Sequence, residues 1–298
     1  MVISHETKEP EILGRRTLLT AGTATAAALL TGAPAAHATT DRLSELERQH
    51  GARLGVFAYN VRTRKTVTHR ADERFPICSL FKTLAAAAVL RDLDRDGEVL
   101  AKRIHYTADD LVDNSKETEK HLDTGMTVGE LADVAIRFSD NTAGNLLLRE
   151  LGGPTAVTRF ARSIGDPVTR LDRWETELNS AEPWRITDTT SPRAIGRSYA
   201  RLVLGDVLNH RDRDLLTHWL LNNTTSVNRF RAGLPPTWAV ADKTGGGFYG
   251  ANNDVGIAWT EDGTPLVLAV QTTLPEQDAA YDHDLIVQTA KHLAETLV

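Results

Sequence analysis

Strand-like sequence stands at both ends of this chain, with helical sequence between. Near the start, RLGVFAYNVRT (53–63) alternates in character and carries aromatics. A short basic turn then leads to KTVTH (65–69), the pattern of a hairpin. Near the end, WAVADKTG (238–245), NDVGIAWT (253–260) and PLVLAVQTT (265–273) are short runs joined by turns containing Gly or Asp-Gly. From Ser79 to about Leu216 the pattern is helical. One sheet built from both ends must bring those ends together, and the helices between must pack as an insertion. The order predicts a two-lobed α/β (α+β) fold. Its five-stranded antiparallel sheet is flanked by helices and accompanied by an inserted all-helical lobe. The sheet lobe takes residues of about 39–72 and 215–298, and the helical lobe about 73–214. A cleft between lobes is the expected site.

Local signals refine this outline. A first helix is expected from Asp41 to about His50. The Ala/Leu-rich run after Ser79 is expected to end at a C-cap at Asp96-Gly97. TVGELADVAIRF (127–138) repeats apolar residues at helical spacing and ends at Ser139. NTAGNLLLREL (141–151) stops at Gly152-Gly153-Pro154. Between Arg170 and Pro192 periodicity is lost, and so long an irregular piece predicts a compact functional loop. An amphipathic helix from Asp278 to Leu297 closes the chain.

The first 38 residues read as a leader. Gly14-Arg15-Arg16-Thr17-Leu18-Leu19 is a twin-arginine pattern, followed by a weakly apolar run from Thr17 to Ala33. Ala36-His37-Ala38 supplies a small-x-small cleavage site before Thr39. Residues 39–298 are then one catalytic domain, exported and without stable membrane insertion. The formal net charge is -6 and no basic cluster is present, which argues against nucleic acid as a partner. Cys78 is the single cysteine, so no internal disulfide can form. No CxxC or HExxH occurs, and neither a metal nor a cofactor is expected.

PICSLFKT (76–83) sets two candidate nucleophiles, Cys78 and Ser79, before Lys82. Helical spacing puts either on the lysine's face. Two further motifs stand downstream: S-D-N at Ser139–Asn141 and K-T-G at Lys243–Gly245. A chain of this length offers roughly one SxxK by chance, but on the order of 0.1 KTG or SDN matches. The ordered trio is therefore specific. The first opens a helix, the second lies between two helices, and the third ends a strand.

In these motifs the chain resembles the class A serine β-lactamases, within the wider group of penicillin-recognising serine enzymes. RWETELN (173–179), TEKHLDTGMTVGEL (118–131) and SDNTAGNLLL (139–148) extend the likeness over nearly the whole mature chain. A serine hydroxyl is a poor nucleophile without an adjacent proton acceptor. The resemblance implies that Ser79 attacks a lactam carbonyl, with Lys82 handling its proton. The backbone amides of Ser79 and Gly246 would form the oxyanion hole. Ser139 would pass a proton to the leaving nitrogen, and Asn141 would hold the substrate's side-chain amide. Lys243, Thr244 and Arg229, beside Gly245 and Gly246, would bind the substrate carboxylate. Glu175 and Asn179 would hold the water that releases the acyl-enzyme. Whether Lys82 or Glu175 takes the proton during acylation stays open. Arg173 and Asp188 would clamp the irregular loop as an ion pair. Cys78 is left as a buried residue behind the site.

Three positions depart from the family pattern. Asn114 stands where many members carry an aromatic at the cleft mouth. Gly246-Gly247-Phe248-Tyr249 follows K-T-G. Asn252 occupies a place that in some members holds the carboxylate-binding arginine, with Arg229 as the substitute. The expected activity is hydrolysis of small-molecule β-lactams by a monomer. The alternatives are a penicillin-binding D-Ala-D-Ala peptidase or transpeptidase, which would lack Glu175, and a sensor domain that is acylated without turnover.

Overall fold

The computed structural model describes residues 42–298, so the expected leader and cleavage site lie outside the described residues. Residues 42–49 form helix α1. Strands β1 (Arg53–Asn60) and β2 (Thr66–His69) follow as a hairpin. β1 ends where Asn60 Oδ1 accepts the N–H groups of Arg62 and Thr63, each at 2.9 Å, which turns the chain three residues earlier than the strand-like sequence suggests. Near the C-terminus come β3 (Ala239–Gly246), β4 (Asn252–Trp259) and β5 (Pro265–Thr273). The sheet order is β2-β1-β5-β4-β3, with every neighbouring pair antiparallel. The first and last strands pair from Arg53↔Thr273 to Asn60↔Leu266, which closes the chain on itself.

Side chains alternate across a strand, so each strand feeds two cores. Leu54, Val56 and Ala58 of β1 join Leu266, Leu268 and Val270 of β5. They pack with Leu43 and Leu46 of α1 and with Leu285 and Ile286 of α8 (His283–Leu297). Phe57, Val267 and Ala269 face the other way, toward Ile195 and Tyr199 of α6 (Pro192–Val203). Each such leucine, fully buried, contributes about 1.5–3 kcal/mol.

Helix α2 (Phe81–Ala88) is buried at every residue, its Phe, Leu and Ala side chains together with the polar Lys82 and Thr83. Around it stand α3 (Val128–Arg137), α4 (Asn141–Glu150), α5 (Thr155–Ser163) and α7 (His210–Leu221). Thr127 and Glu130 form a capping box on α3, and the Asp140 side chain caps α4.

Two expected helix ends differ. α2 runs into a π turn, Val89–Leu93, and stops at Asp94, not at Gly97. The Asp94 carboxylate accepts the N–H groups of Gly97, Val99 and Leu100, each at 3.0 Å. This side chain starts a new short helix, Glu98–Ala101, and Gly97 (φ +89°) precedes it. The last helix begins at His283, not at Asp278, because Asp282 caps it by accepting the N–H of Leu285. The chain before Asp282 is thereby freed to line the cleft.

Candidate active site

Ser79 sits in a single 3-10 turn, Cys78–Leu80, that leads into α2. One turn on, Lys82 is wholly buried, which a lysine tolerates only when paired. Its Nζ stands 3.0 Å from Ser79 Oγ, 2.8 Å from Ser139 O, 2.6 Å from Asn141 Oδ1 and 3.0 Å from Glu175 Oε1. Ser139 Oγ lies farther, at 3.5 Å. The ammonium is ringed by acceptors, and it also packs against α4. A Cβ on Gly144 would come within 2.9 Å of Lys82 Cε, so the close approach requires glycine there.

Glu175 comes from the irregular loop between Arg170 and Pro192. Asn145 of α4 fixes it by bonding the Glu175 N–H and C=O, both at 2.9 Å. Asn179 Nδ2 donates to Glu175 Oε2 at 2.5 Å, and Ser79 Oγ is 3.4 Å from Oε1. The loop is closed at its base, where Arg173 Nε meets Asp188 Oδ2 at 2.6 Å. Asp188 Oδ1 also accepts the N–H groups of Asp172 and Arg173.

The opposite wall is the end of β3. Thr244, Gly245 and Gly246 line a cleft of about 820 Å3 with Ser79, Asn114, Ser139, Asn141, Asn179 and Arg229. Lys243 is fully buried, and its Nζ donates to Thr244 O at 2.9 Å. Burial, reinforced by the positive charges of Lys82 and Arg229, holds its pKa well below the ordinary lysine value. Arg229 Nε donates to Asn252 Oδ1 and Nη1 to Thr225 O, both at 2.6 Å. Asn252 is thus the anchor of Arg229. Burial lowers the arginine's pKa, opposed by Asp254.

Lys82, Glu175 and Lys243 are buried behind the residues that form the cleft surface. Asn141 is engaged at both ends, since its Nδ2 donates to Asp113 O at 2.8 Å. Asn114 lines the cleft mouth and donates to Ser139 O at 3.0 Å, a polar tie where an aromatic wall would be apolar. The thiol of Cys78 is buried against Ala181, Tyr249 and Ala251. Burial raises its pKa, and the negative charges of Glu175 and Asp188 add to the effect, so the thiolate a nucleophile needs is suppressed.

Non-glycine residues with positive φ gather here. Cys78, Asn114, Ser139 and Asp188 all have φ between 46° and 60°. Each costs about 1–3 kcal/mol and persists only where the surroundings enforce it.

Several residues of the site went unrecognised in the sequence. Asn145 lies one helical turn after Asn141, and a polar residue at that spacing on a buried helix was the available signal. Thr225 gave no signal, because it belongs to an irregular segment. Tyr281 lines the cleft and is the reason for Gly246, where a Cβ would meet the phenol oxygen at 2.7 Å.

A model of the beta-lactamase enzyme family matches residues 38–297. A beta-lactamase of Streptomyces fradiae is 60% identical over 282 residues, covering 93% of this chain and 92% of the relative. A beta-lactamase of Streptomyces albus G is 57% identical over 304 residues, covering 95% and 97%. The solved structure of a beta-lactamase from Streptomyces albus G aligns with a TM-score of 0.87 at 62% identity, over 88% of this chain and 100% of that one. No helix among the described residues is long and apolar enough to cross a membrane.

Proposed function

We propose a catalytic cycle for this chain, which belongs to the beta-lactamase enzyme family and is a class A serine β-lactamase. Ser79 Oγ attacks the lactam carbonyl and gives its proton to the Lys82–Glu175 pair. The observation that carries this step is one hydroxyl within reach of both groups, 3.0 Å from Lys82 Nζ and 3.4 Å from Glu175 Oε1. The backbone amides of Ser79 and Gly246 hold the oxyanion. As the C–N bond breaks, Ser139 delivers a proton to the lactam nitrogen and takes in its place, from Lys82 at 3.5 Å, the proton that Ser79 gave to the pair, so Glu175 is again free as a base. Asn141 holds the side-chain amide of the substrate.

The carboxylate of the β-lactam binds Thr244 and Arg229 beside Gly245 and Gly246. Arg229 spends Nε and Nη1 on Asn252 and Thr225, which leaves Nη2 for the anion. Lys243 supplies positive charge from beneath.

Deacylation uses Glu175 and Asn179. Water held by this pair loses a proton to Glu175 and attacks the ester, and the proton returns to Ser79 as the acid product leaves. Arg173 and Asp188 keep the loop in place for that step.

Residues 39–298 act as one monomeric catalytic domain, exported by the twin-arginine route. The support for export is the residue pattern of the leader, and its consequence is resistance to β-lactam antibiotics outside the cytoplasm. Incubation with a penicillin, following hydrolysis and intact mass together, tests the reading. Sustained turnover is expected. A persistent stoichiometric adduct would contradict it and point to a peptidase or a sensor.

A further inference from the structure

Thr225 lines the cleft in the irregular segment between α7 and Arg229. Its hydroxyl has two partners, Asn223 Oδ1 at 2.7 Å and the hydroxyl of Thr244. The orientation of the buried Asn223 amide is fixed at both ends. Oδ1 accepts the N–H of Thr225 at 3.0 Å, and Nδ2 donates to Asp242 Oδ1 at 3.1 Å. An amide oxygen can only accept, so the hydrogen of the Thr225 hydroxyl points at Asn223. A hydroxyl carries one hydrogen. Thr225 therefore accepts from Thr244, and at rest the Thr244 hydrogen is committed to Thr225.

We propose that Thr225 is a positioning residue for the anion site, a hydroxyl that reverses with Thr244 so that Thr244 donates to the carboxylate of the β-lactam. The proposal rests on the reading that Thr244 binds that carboxylate. An arriving carboxylate takes the Thr244 hydrogen and leaves two hydroxyl oxygens in contact with none between them. Thr225 then turns its own hydrogen from Asn223 Oδ1 to Thr244 Oγ1. Asn223 Oδ1 keeps the backbone N–H of Thr225, so no buried acceptor is stranded. The outcome is a chain from Thr225 to Thr244 to the carboxylate, in which each hydrogen bond polarises the next. The carbonyl of the same residue accepts Arg229 Nη1 at 2.6 Å, so Thr225 orients both groups that meet the anion.

The test is the steady-state kinetics of penicillin hydrolysis in Thr225→Val, Thr225→Ser, Thr244→Val and the Thr225→Val/Thr244→Val double variant. Valine keeps the shape and removes the hydroxyl. Thr225→Val is expected to raise KM about three- to tenfold, the size of one hydrogen bond, with kcat changed less than about twofold. Thr225→Ser should restore the wild-type KM. The double variant should be no worse than Thr244→Val alone, because the relay acts only through Thr244. An unchanged KM in Thr225→Val beside a raised KM in Thr244→Val would overturn the proposal and leave the anion site standing. So would losses that multiply in the double variant, or a fall in kcat and melting temperature that serine fails to rescue. An unchanged KM in Thr244→Val would instead remove the reading on which the proposal rests.

Discussion

Lys82 Nζ and Glu175 Oε1 are 3.0 Å apart, and neither side chain has any exposed surface. Opposite charges buried this deeply hold each other, and removing one strands the other. Lys82→Met is expected to abolish turnover and to cost about 3 kcal/mol of folding stability. Lys82→Met/Glu175→Gln should regain most of that stability, since no lone charge is left. Chemical denaturation of the two single variants and the double variant measures the coupling. Losses that simply add would show that the two groups do not act as a pair.

Arg229 reaches the cleft with two of its nitrogens already committed to Asn252 and Thr225. Arg229→Ala is expected to raise KM for a penicillin about tenfold or more, the range for a hydrogen bond to a charged group. Arg229→Lys should recover little, because an ammonium cannot serve three partners with a planar fork. Unchanged kinetics in Arg229→Ala would remove it from the anion site.

The clamp at the base of the irregular loop can be opened without touching the cleft. Arg173→Ala leaves the buried Asp188 carboxylate with two backbone N–H groups and no cation. A loss of about 1–3 kcal/mol is expected. Release of the acyl-enzyme should slow more than its formation, since Glu175 rides on this loop. Thermal unfolding and single-turnover kinetics check both effects. Equal slowing of the two steps would contradict the assigned role.

Acid stability is expected to depend on Glu47 in α1. Burial raises its pKa, but hydrogen bonds from Arg70 and His69 outweigh burial and hold it down at about 2, against an ordinary 4.5. The folded pKa is depressed, so the contribution is complete above the unfolded value. It is lost as the pH falls from 4.5 through about 2. Glu47→Gln should therefore be less stable at neutral pH and should lose less on acidification across that window. Melting temperatures against pH decide it; parallel curves for the two proteins would contradict the linkage.

The sheet was legible in the sequence because strand-like runs are short and bounded by turn residues. The S-L-F-K, S-D-N and K-T-G motifs were legible because each depends on spacing within a single turn or strand end. What escaped depends on side chains that redirect the backbone. Asp94 follows the end of one helix and starts another through its carboxylate, and Asp282 likewise starts α8, which sequence reading placed too early at Asp278. Thr225 escaped for a different reason. Its partner Thr244 lies 19 residues away in sequence, and only the fold brings the two hydroxyls together.

The most direct test is intact mass spectrometry of Glu175→Gln mixed with excess penicillin, sampled over time and followed by peptide mapping. Gln keeps the shape beside Ser79 and removes the base assigned to the deacylating water. The expected result is an adduct of one whole penicillin on Ser79, formed and then persisting, with turnover reduced by about 10²–10⁴. Wild-type turnover without accumulated adduct, or an adduct on any residue other than Ser79, would contradict the central claim.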